Sequence, residues 1–406
     1  RWVVRGNSQQ YGINFDKTFA VGGDFVSAKI IITLSLHENR LLTTVDILSV
    51  YLHSLLEETN LVVEYLTGFT VDRFDDPVCL LKKVLYRLKQ GACVWAEHFG
   101  GRLKDLGYWR CISAPSVYIR SDKDRETILA THVDDCMAAC TSFTKRPNAE
   151  SMCFKSDIMH YFKYKEKDVQ TKANILRMTV YCDNAAGTIK ISVPQKIDQL
   201  LESHSIQDSN PVSTPMCKNI WTLLDKDKSK APEPYSSLIG ELLWISTVVH
   251  INISFAVSIL SQFLQKLKEV HWNAAKCILC YLKGMRELGI VYKLDGNQKL
   301  IRYCNSDYAG DCSDCKSIMG FVFVVNGGPV GWRSKKQTVV AKLTTEAEYI
   351  SVSACALEAI WLQHFFKEIG QGFCNQPLTI YIDNQAVIEL TKDPVYLSKT
   401  KHIDIQ

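Results

Sequence analysis

The 406-residue sequence has no hydrophobic run approaching the roughly 18 residues that a transmembrane helix requires. It also lacks a secretory signal at its start. Its 15 cysteines are scattered, and Cys277-x-x-Cys280 has no second pair at zinc-finger spacing, so we expect buried thiols there in place of disulfides or a zinc site. These absences argue against a membrane protein and a small disulfide-stabilised secreted protein, and they predict a reducing compartment.

A strong charge of either sign is absent too. The 47 Lys and Arg residues nearly balance 43 Asp and Glu, and the net charge of +4 is compatible with a polyanionic partner without establishing one. The chain also lacks an initiating methionine, so we expect a piece of a longer polypeptide. Its hydrophobic fraction of 47% and charged fraction of 22% are typical of folded proteins, and its length predicts two or three domains.

Two adjacent carboxylates, Asp134 and Asp135, stand between two short apolar segments, residues 128–130 and 136–139. This pattern predicts a β-hairpin with the acids at its turn. Adjacent like charges repel, so a fold would not select them for stability. A divalent cation would remove the conflict, and Mg²⁺ suits such oxygen ligands because substrate phosphates can complete its shell. A plain polar turn is the alternative interpretation.

One further acid, Asp46, interrupts the apolar run of residues 41–52. The run begins with residues typical of a β-strand and stays apolar after the acid. Burying a carboxylate there is costly unless it has a partner or a metal. We therefore predict that Asp46 is a third carboxylate at the tip formed by Asp134 and Asp135.

The segment 79–104 is the most basic and aromatic part of the first half. Its cations and rings are Lys82, Lys83, Tyr86, Arg87, Lys89, Trp95, Phe99, Arg102 and Lys104. The spacing predicts a helix that Gly91 interrupts. Two interpretations stay open: a solvated helix face over core aromatics, and a surface that contacts nucleic-acid phosphates.

Helices are predicted at residues 24–39 and 195–204, and polar linkers at 211–215 and 226–234. Residues 235–285 are predicted to be mainly helical. From about residue 298, strands, a helix over 344–370 and a strand over 378–382 predict a small α/β domain. Its acids Asp307, Glu348 and Asp383 fall at element ends, where a metal site could be assembled.

In their order, these motifs resemble the reverse transcriptase and ribonuclease H region of the Pol polyprotein of Ty1/copia-type retrotransposons. Residues 44–52 resemble the family's QLDVKTAFL motif, residues 80–90 its RLKKSLYGLKQ motif and residues 132–135 its YVDD motif. Residues 5–20, 213–216, 281–284, 334–337, 345–349, 383–385 and 400–405 match further family segments. Each match is weak alone, but their order and coverage are specific.

The resemblance implies an α+β right-hand polymerase followed by a helical connection and an α/β ribonuclease H-like domain. We expect fingers and palm over residues 1–212, a helical thumb or connection over 213–297, and a ribonuclease H-like domain over 298–406, truncated at its C-terminus. Asp46, Asp134 and Asp135 would be the catalytic carboxylates and would hold two Mg²⁺ ions, with Mn²⁺ as an alternative.

The resemblance also implies a nucleotide site. Gln90 would lie against the incoming nucleotide, and Arg5 would contact its triphosphate or the template. Tyr51 stands where the family has Phe, and a ring there would sit under the sugar and exclude a 2′-hydroxyl.

The departures from the family concentrate in the last domain. The first ribonuclease H carboxylate falls on Asn305, and an amide cannot supply the negative charge that helps to hold two metals. Glu348, with Glu346 as the alternative, matches the helical glutamate, and Asp383 matches the third acid. Asp307 matches an acid with no assigned role in catalysis. We therefore expect the ribonuclease H activity to be lost.

Other motifs are eroded as well. His132 replaces Tyr, Val21-Gly22 replaces Pro-Val, and residues 161–178 and 249–253 have lost most of their family pattern. The fourth acid of the family lies beyond the end of the chain, and Asp404 is a poor substitute. These departures are typical of a decaying element copy.

Two hypotheses about function stay open, and with them the question of whether the chain is an enzyme. The first is an RNA-directed DNA polymerase that uses an RNA template, a DNA primer and dNTPs, in the cytoplasm within a virus-like particle or in the nucleus, with no membrane partner. The second is a catalytically dead retrotransposon remnant that at most binds nucleic acid. A metal-dependent nuclease resting on the last domain alone is disfavoured by Asn305.

Overall fold

The computed structural model describes residues 3–56, 61–64, 78–122, 125–142, 149–168, 172–216, 234–265, 268–294, 300–371 and 377–392. Most of the second predicted linker, and the segment after residue 392 that includes Asp404, lie outside these ranges. The chain divides into two compact units, residues 1–169 and 170–406. No helix within the described ranges is long and apolar enough to cross a membrane.

The first unit is built on a six-stranded antiparallel sheet with the order β4-β5-β6-β7-β1-β8. The strands of this unit are β1 (Leu41–Ile47), β2 (Val62–Glu64), β3 (Val78–Leu80), β4 (Trp109–Arg110), β5 (Val117–Asp122), β6 (Arg125–His132), β7 (Asp135–Ser142) and β8 (Tyr164–Asp168). β2 and β3 form a separate antiparallel pair. β6 and β7 are the two arms of the predicted hairpin.

Three helices accompany this sheet: α1 (Phe25–His37), α2 (Gly91–Asp105) and α3 (Ala149–Tyr161). α1 begins where the Asp24 carboxylate accepts hydrogen bonds from the backbone N–H groups of Val26 and Ser27, a standard helix N-cap. α2 buries Trp95 and Phe99 in a core that includes Val45 and Ile47 of β1. Because side chains alternate along a strand, Asp46 is left on the other face of β1.

The helix predicted across residues 79–104 is wrong in its first half. Residues 81–90 are irregular, and α2 begins only at Gly91, the residue expected to interrupt it. Arg87 has a φ of 71°, a left-handed conformation that a right-handed helix cannot contain. Lys82 and Lys83 are nevertheless exposed while their neighbours Leu81 and Val84 are buried, so the cations do point outward.

The second unit begins with a four-stranded antiparallel sheet of order β12-β11-β10-β9. Its strands are β9 (Lys172–Ile175), β10 (Met178–Asp183), β11 (Thr188–Ser192) and β12 (Ile290–Lys293), and its helices are α4 (Pro194–Ser203), α5 (Tyr235–Val248), α6 (Ser254–Ser261) and α7 (Glu269–Gly284). The helical character predicted for 195–204 and 235–285 is confirmed. Cys277 and Cys280 on α7 are half-buried, not buried as expected.

A three-stranded antiparallel sheet, β13 (Ile301–Asp311), β14 (Lys316–Val325) and β15 (Gly328–Lys336), follows in the same unit. α8 (Thr344–Glu368) packs on β13 and β14, and α9 (Gln385–Lys392) follows. The strand predicted at 378–382 is reduced to one parallel bridge, where the Tyr381 N–H donates to Arg302 O at 2.8 Å and its carbonyl accepts from Cys304 N–H at 3.1 Å.

Candidate functional site

The hairpin of β6 and β7 brings the three predicted carboxylates of the first unit together. Asp46 on β1 lies directly opposite Asp135 on β7 in the antiparallel register. Side chains at such opposed positions share a face and lie about 5 Å apart at their Cβ atoms, and like charges there are destabilising. Asp134 is exposed in the two-residue turn next to them. The unfavourable pairing indicates a functional requirement for the acids.

The turn that carries Asp134 is strained and firmly held. Val133, a β-branched residue, has a φ of 57°, where such residues are rarely found. The Trp95 indole Nε1–H donates to Val133 O at 2.7 Å, and the Ile47 N–H donates to Asp134 O at 2.9 Å. Strain that is held by surrounding contacts is typical of functional sites.

The pKa of the buried Cys136 thiol shows that all three acids lie near it. Burial raises the pKa of Cys136, and the negative charges of Asp135, Asp134 and Asp46 raise it further. A cation that the sequence did not reveal lies beside them: Lys165 on β8 is the register partner of Asp46 on its other side. Only the strand register shows this neighbour, since nothing in the sequence links residues 46 and 165.

The three acids supply oxygen donors without forming a complete metal cage. Within the described residues, no three His, Cys, Asp or Glu side chains are close enough together to hold a metal by themselves. Carboxylate oxygens from Asp46, Asp134 and Asp135 nevertheless fit Mg²⁺, which typically takes one or two protein carboxylates and completes its shell with water and substrate phosphates.

Tyr51 lies beside the acidic turn, in the short 3₁₀ turn Val50–His53 that follows β1. Its ring is half-buried and packs edge-on against Tyr86, with the ring centroids 5.0 Å apart. Burial raises the pKa of Tyr51, and the negative charge of Asp134 raises it further. The ring is therefore fixed in position next to the carboxylates.

Gln90 is buried, and its amide is engaged within the protein. Its Oε1 accepts from Gln9 Nε2 at 3.0 Å, and its Nε2 donates to Asn14 O at 3.1 Å. Arg5 is exposed, ahead of the turn Gly6–Ser8.

The second unit gathers the acids predicted for the last domain. Asn305 on β13 donates from its Nδ2 to Asp383 Oδ2 at 3.5 Å. Glu348 on α8 is 7% exposed, and burial followed by the charge of Asp383 raises its pKa. Glu346 instead accepts from the Lys342 N–H at 2.7 Å, at the start of the helix. Of the two glutamates, Glu348 is therefore the one whose carboxylate senses the charge of Asp383.

Residues 1–218 match the family model described as reverse transcriptase (RNA-dependent DNA polymerase). The chain therefore belongs to the reverse transcriptase family. The match confirms the polymerase part of the expected fold class over residues 1–218. The second unit combines helices with antiparallel sheets, in agreement with the mixed α and β character expected for the rest of the chain.

Relatives among curated proteins confirm the Ty1/copia-type resemblance. The chain is 32% identical to the retrovirus-related Pol polyprotein from transposon TNT 1-94 of Nicotiana tabacum, covering 100% of this chain and 30% of that protein. It is 27% identical to the corresponding polyprotein from transposon RE2 of Arabidopsis thaliana, covering 99% of this chain and 27% of that protein. It thus spans about 30% of the length of these two relatives.

Two further similarities differ in weight. A putative transposon Ty5-1 protein of Saccharomyces cerevisiae is 28% identical, with 77% of this chain and 99% of that protein covered. A foamy viral protease-reverse transcriptase structure in complex with double-stranded DNA is 12% identical with a TM-score of 0.24, covering 87% of this chain and 53% of that chain. That TM-score is too low to support a structural inference.

Proposed function

We propose that the first unit is an RNA-directed DNA polymerase whose catalytic carboxylates are Asp46, Asp134 and Asp135. The observation that carries the proposal is the register of β1 against β7, which sets Asp46 opposite Asp135 with Asp134 in the adjoining turn. Membership of the reverse transcriptase family supports the same assignment.

Asp46, Asp134 and Asp135 would hold two Mg²⁺ ions. When bound, these ions would activate the primer 3′-hydroxyl and neutralise charge on the leaving pyrophosphate. The bonds from Trp95 and Ile47 hold the turn before substrate arrives, so the carboxylates need little reorganisation. The Tyr51 ring would lie under the sugar of the incoming nucleotide and leave no room for a 2′-hydroxyl.

The proposed partners are an RNA template, a DNA primer and dNTPs, met in a virus-like particle or in the nucleus. The proposed domains are fingers and palm to residue 212, a helical connection to 297 and a ribonuclease H-like domain beyond. A nucleotide contact by Gln90 would compete with the bonds that its amide already makes to Gln9 and Asn14. Arg5 is exposed and would contact the triphosphate or the template.

Primer extension tests the polymerase proposal. With purified protein, poly(rA)/oligo(dT), dTTP and Mg²⁺, we expect incorporation that Asp134→Asn lowers at least about 100-fold, the scale for removing a group that stabilises transition-state charge. Asp105→Asn, an exposed acid on α2, is the matched control and should leave incorporation unchanged. Equal incorporation by Asp134→Asn would overturn the assignment.

A second candidate, a protein that binds nucleic acid without synthesis, is favoured by Asn305. An amide at that position removes one negative charge from the ribonuclease H-like site, so we propose that this activity is lost. The wild type should leave an RNA–DNA hybrid intact in the presence of Mg²⁺. Hybrid binding that weakens steeply with salt, together with no incorporation by any variant, would favour this candidate over the polymerase.

A further inference from the structure

A cleft of about 570 Å³ opens in the second unit beside Asn305 and Asp383. Phe255 of α6, Tyr303 of β13 and Tyr381 contribute exposed aromatic rings to its lining. The volume lies within the range of small-molecule sites, which combine apolar walls with a few polar groups. The cleft therefore has the size and the composition of a site for one flat organic ligand.

The two tyrosine rings of the cleft, Tyr303 and Tyr381, are about half exposed to solvent. Tyr303 is 49% and Tyr381 53% exposed, and their ring centroids lie 5.5 Å apart with an interplanar angle of 33°. The bridge between the two residues fixes both backbones. Exposed rings of this kind are the stacking surface that proteins offer to nucleobases, since every base has a flat π face.

Polar groups at one end of the cleft would recognise the edge of such a base. The Asn305 Nδ2 is a donor, and the Asp383 carboxylate beside it is an acceptor. Guanine presents N–H donors at N1 and N2 next to an acceptor at O6, which is the complementary arrangement. A carboxylate in place of Asn305 would instead repel the O6 atom.

We propose that this cleft binds an unpaired guanine base, with Tyr303 and Tyr381 as its stacking surface and Asn305 and Asp383 at its edge. Arg333 also lines the cleft, and its guanidinium pairs with Glu358 at 3.8 Å. The Asp383 carboxylate gives negative charge to the end where the base edge would bind, so the contacts proposed there are to the base. The cleft belongs to the second unit, whereas Asp46, Asp134 and Asp135 belong to the first.

A substitution at Gly320 would narrow the cleft without disturbing the groups proposed to bind the base. It lies opposite Asn305 in the register of β13 and β14 and lines the cleft. A Cβ atom added there would meet only Arg333 O, at an ordinary contact distance of 3.7 Å. Gly320→Val should therefore fold normally and narrow the cleft beside Asn305, and Gly240→Val, at a glycine with open space around it on α5, is the matched control.

Saturation-transfer NMR on the full chain, with guanosine, adenosine and cytidine as probes, tests the proposal. We expect a guanosine signal stronger than the other two, weakened at least about tenfold in affinity by Gly320→Val and by Asn305→Asp, and unchanged by Gly240→Val and by Asp134→Asn. Loss of binding in Asp134→Asn would assign it to the first unit. That result, equal signals for the three nucleosides, or full binding by Gly320→Val would each overturn the proposal.

Discussion

At the scale of single residues, the strained Val133 carries a measurable cost. A β-branched residue with positive φ is disfavoured by roughly 1–2 kcal/mol. Glycine adopts a positive φ without steric cost and is preferred at the first position of such a hairpin turn. Val133→Gly should therefore raise the free energy of unfolding by about 1 kcal/mol, because the valine side chain is partly exposed and loses little burial. Urea titration of the first unit's unfolding measures this change.

Val291 on β12 is the matched control, because it is 38% exposed against 36% for Val133 and has no positive φ. Val291→Gly should lower stability by about 0.5–1 kcal/mol through chain entropy and lost strand packing. If both substitutions destabilise equally, the turn at Val133 stores no strain.

The Tyr51 ring should decide which sugar the proposed polymerase accepts. Tyr51→Val removes most of the ring, so ribonucleotides should be incorporated with at least about tenfold less discrimination, while dTTP incorporation persists. Parallel extensions with dTTP and UTP on the same primer give the ratio. Tyr86→Phe, which keeps the ring that packs on Tyr51, should leave the ratio as it was.

Asp46, Asp134 and Asp135 were predictable from the sequence, because acids that interrupt apolar runs are conspicuous. Lys165 was not predictable, since its proximity to Asp46 depends on the pairing of β1 with β8. The bonds of the Gln90 amide to Gln9 and Asn14 were not predictable either, because these residues are about 80 positions away in the sequence.

At the scale of elements, helix α1 buries an ionisable side chain, Lys29, in the protein core. Lys29 is fully buried, and burial lowers its pKa to about 7 against partial opposition from Asp24. In the unfolded chain the amine titrates near 10.5. Between these values the unfolded chain binds a proton that the folded chain does not, so the stability of the fold rises with pH across the window from about 7 to 10.5.

Lys29→Met should therefore stabilise the protein at pH 7, by an amount on the order of 4 kcal/mol at most. The advantage should shrink by roughly 2 kcal/mol between pH 7 and pH 9, because only the wild type gains stability there. Urea unfolding at the two pH values measures it. Lys104→Met, at an exposed position of α2, should show no such trend, and a constant advantage for Lys29→Met would refute the buried-amine explanation.

Elements with strong periodicity were predictable, and those fixed by distant contacts were not. The helices α1 and α4 were predictable from their apolar residues. Residues 81–90 mimic a helix because Leu81, Val84 and Leu88 are spaced like a buried stripe, yet the left-handed Arg87 breaks it. The strand expected at 378–382 is reduced to a bridge at Tyr381, which lies on the edge of β13 opposite β14.

For the whole molecule, we expect nucleic-acid binding to depend on where the positive charge lies more than on the net charge. Lys82→Glu with Lys83→Glu takes the net charge from +4 to 0, since each substitution removes two units. If the exposed 82–83 pair contacts phosphates, the slope of log K against log salt for hybrid binding should fall in magnitude by about 2. Fluorescence anisotropy across a salt series gives the slope.

Lys335→Glu with Lys367→Glu reaches the same net charge of 0 from exposed positions in the second unit. This control should leave the slope nearly unchanged. Equal slopes for the two double variants would mean that residues 82 and 83 are a solvated surface and that binding responds to overall charge alone.

The amide of Asn305 can deamidate, so the charge at this position can change as the protein ages. Ser306 follows it, with its backbone N–H bonded to Asn305 Oδ1 at 2.5 Å, and asparagine is among the chemically labile side chains of proteins. Hydrolysis releases ammonia and leaves a carboxylate at the position where the family has an acid. The pairing with Gly320 holds this backbone in β13, so we expect the reaction when the strand opens. A stored or heated sample would then acquire a charge that its gene does not encode.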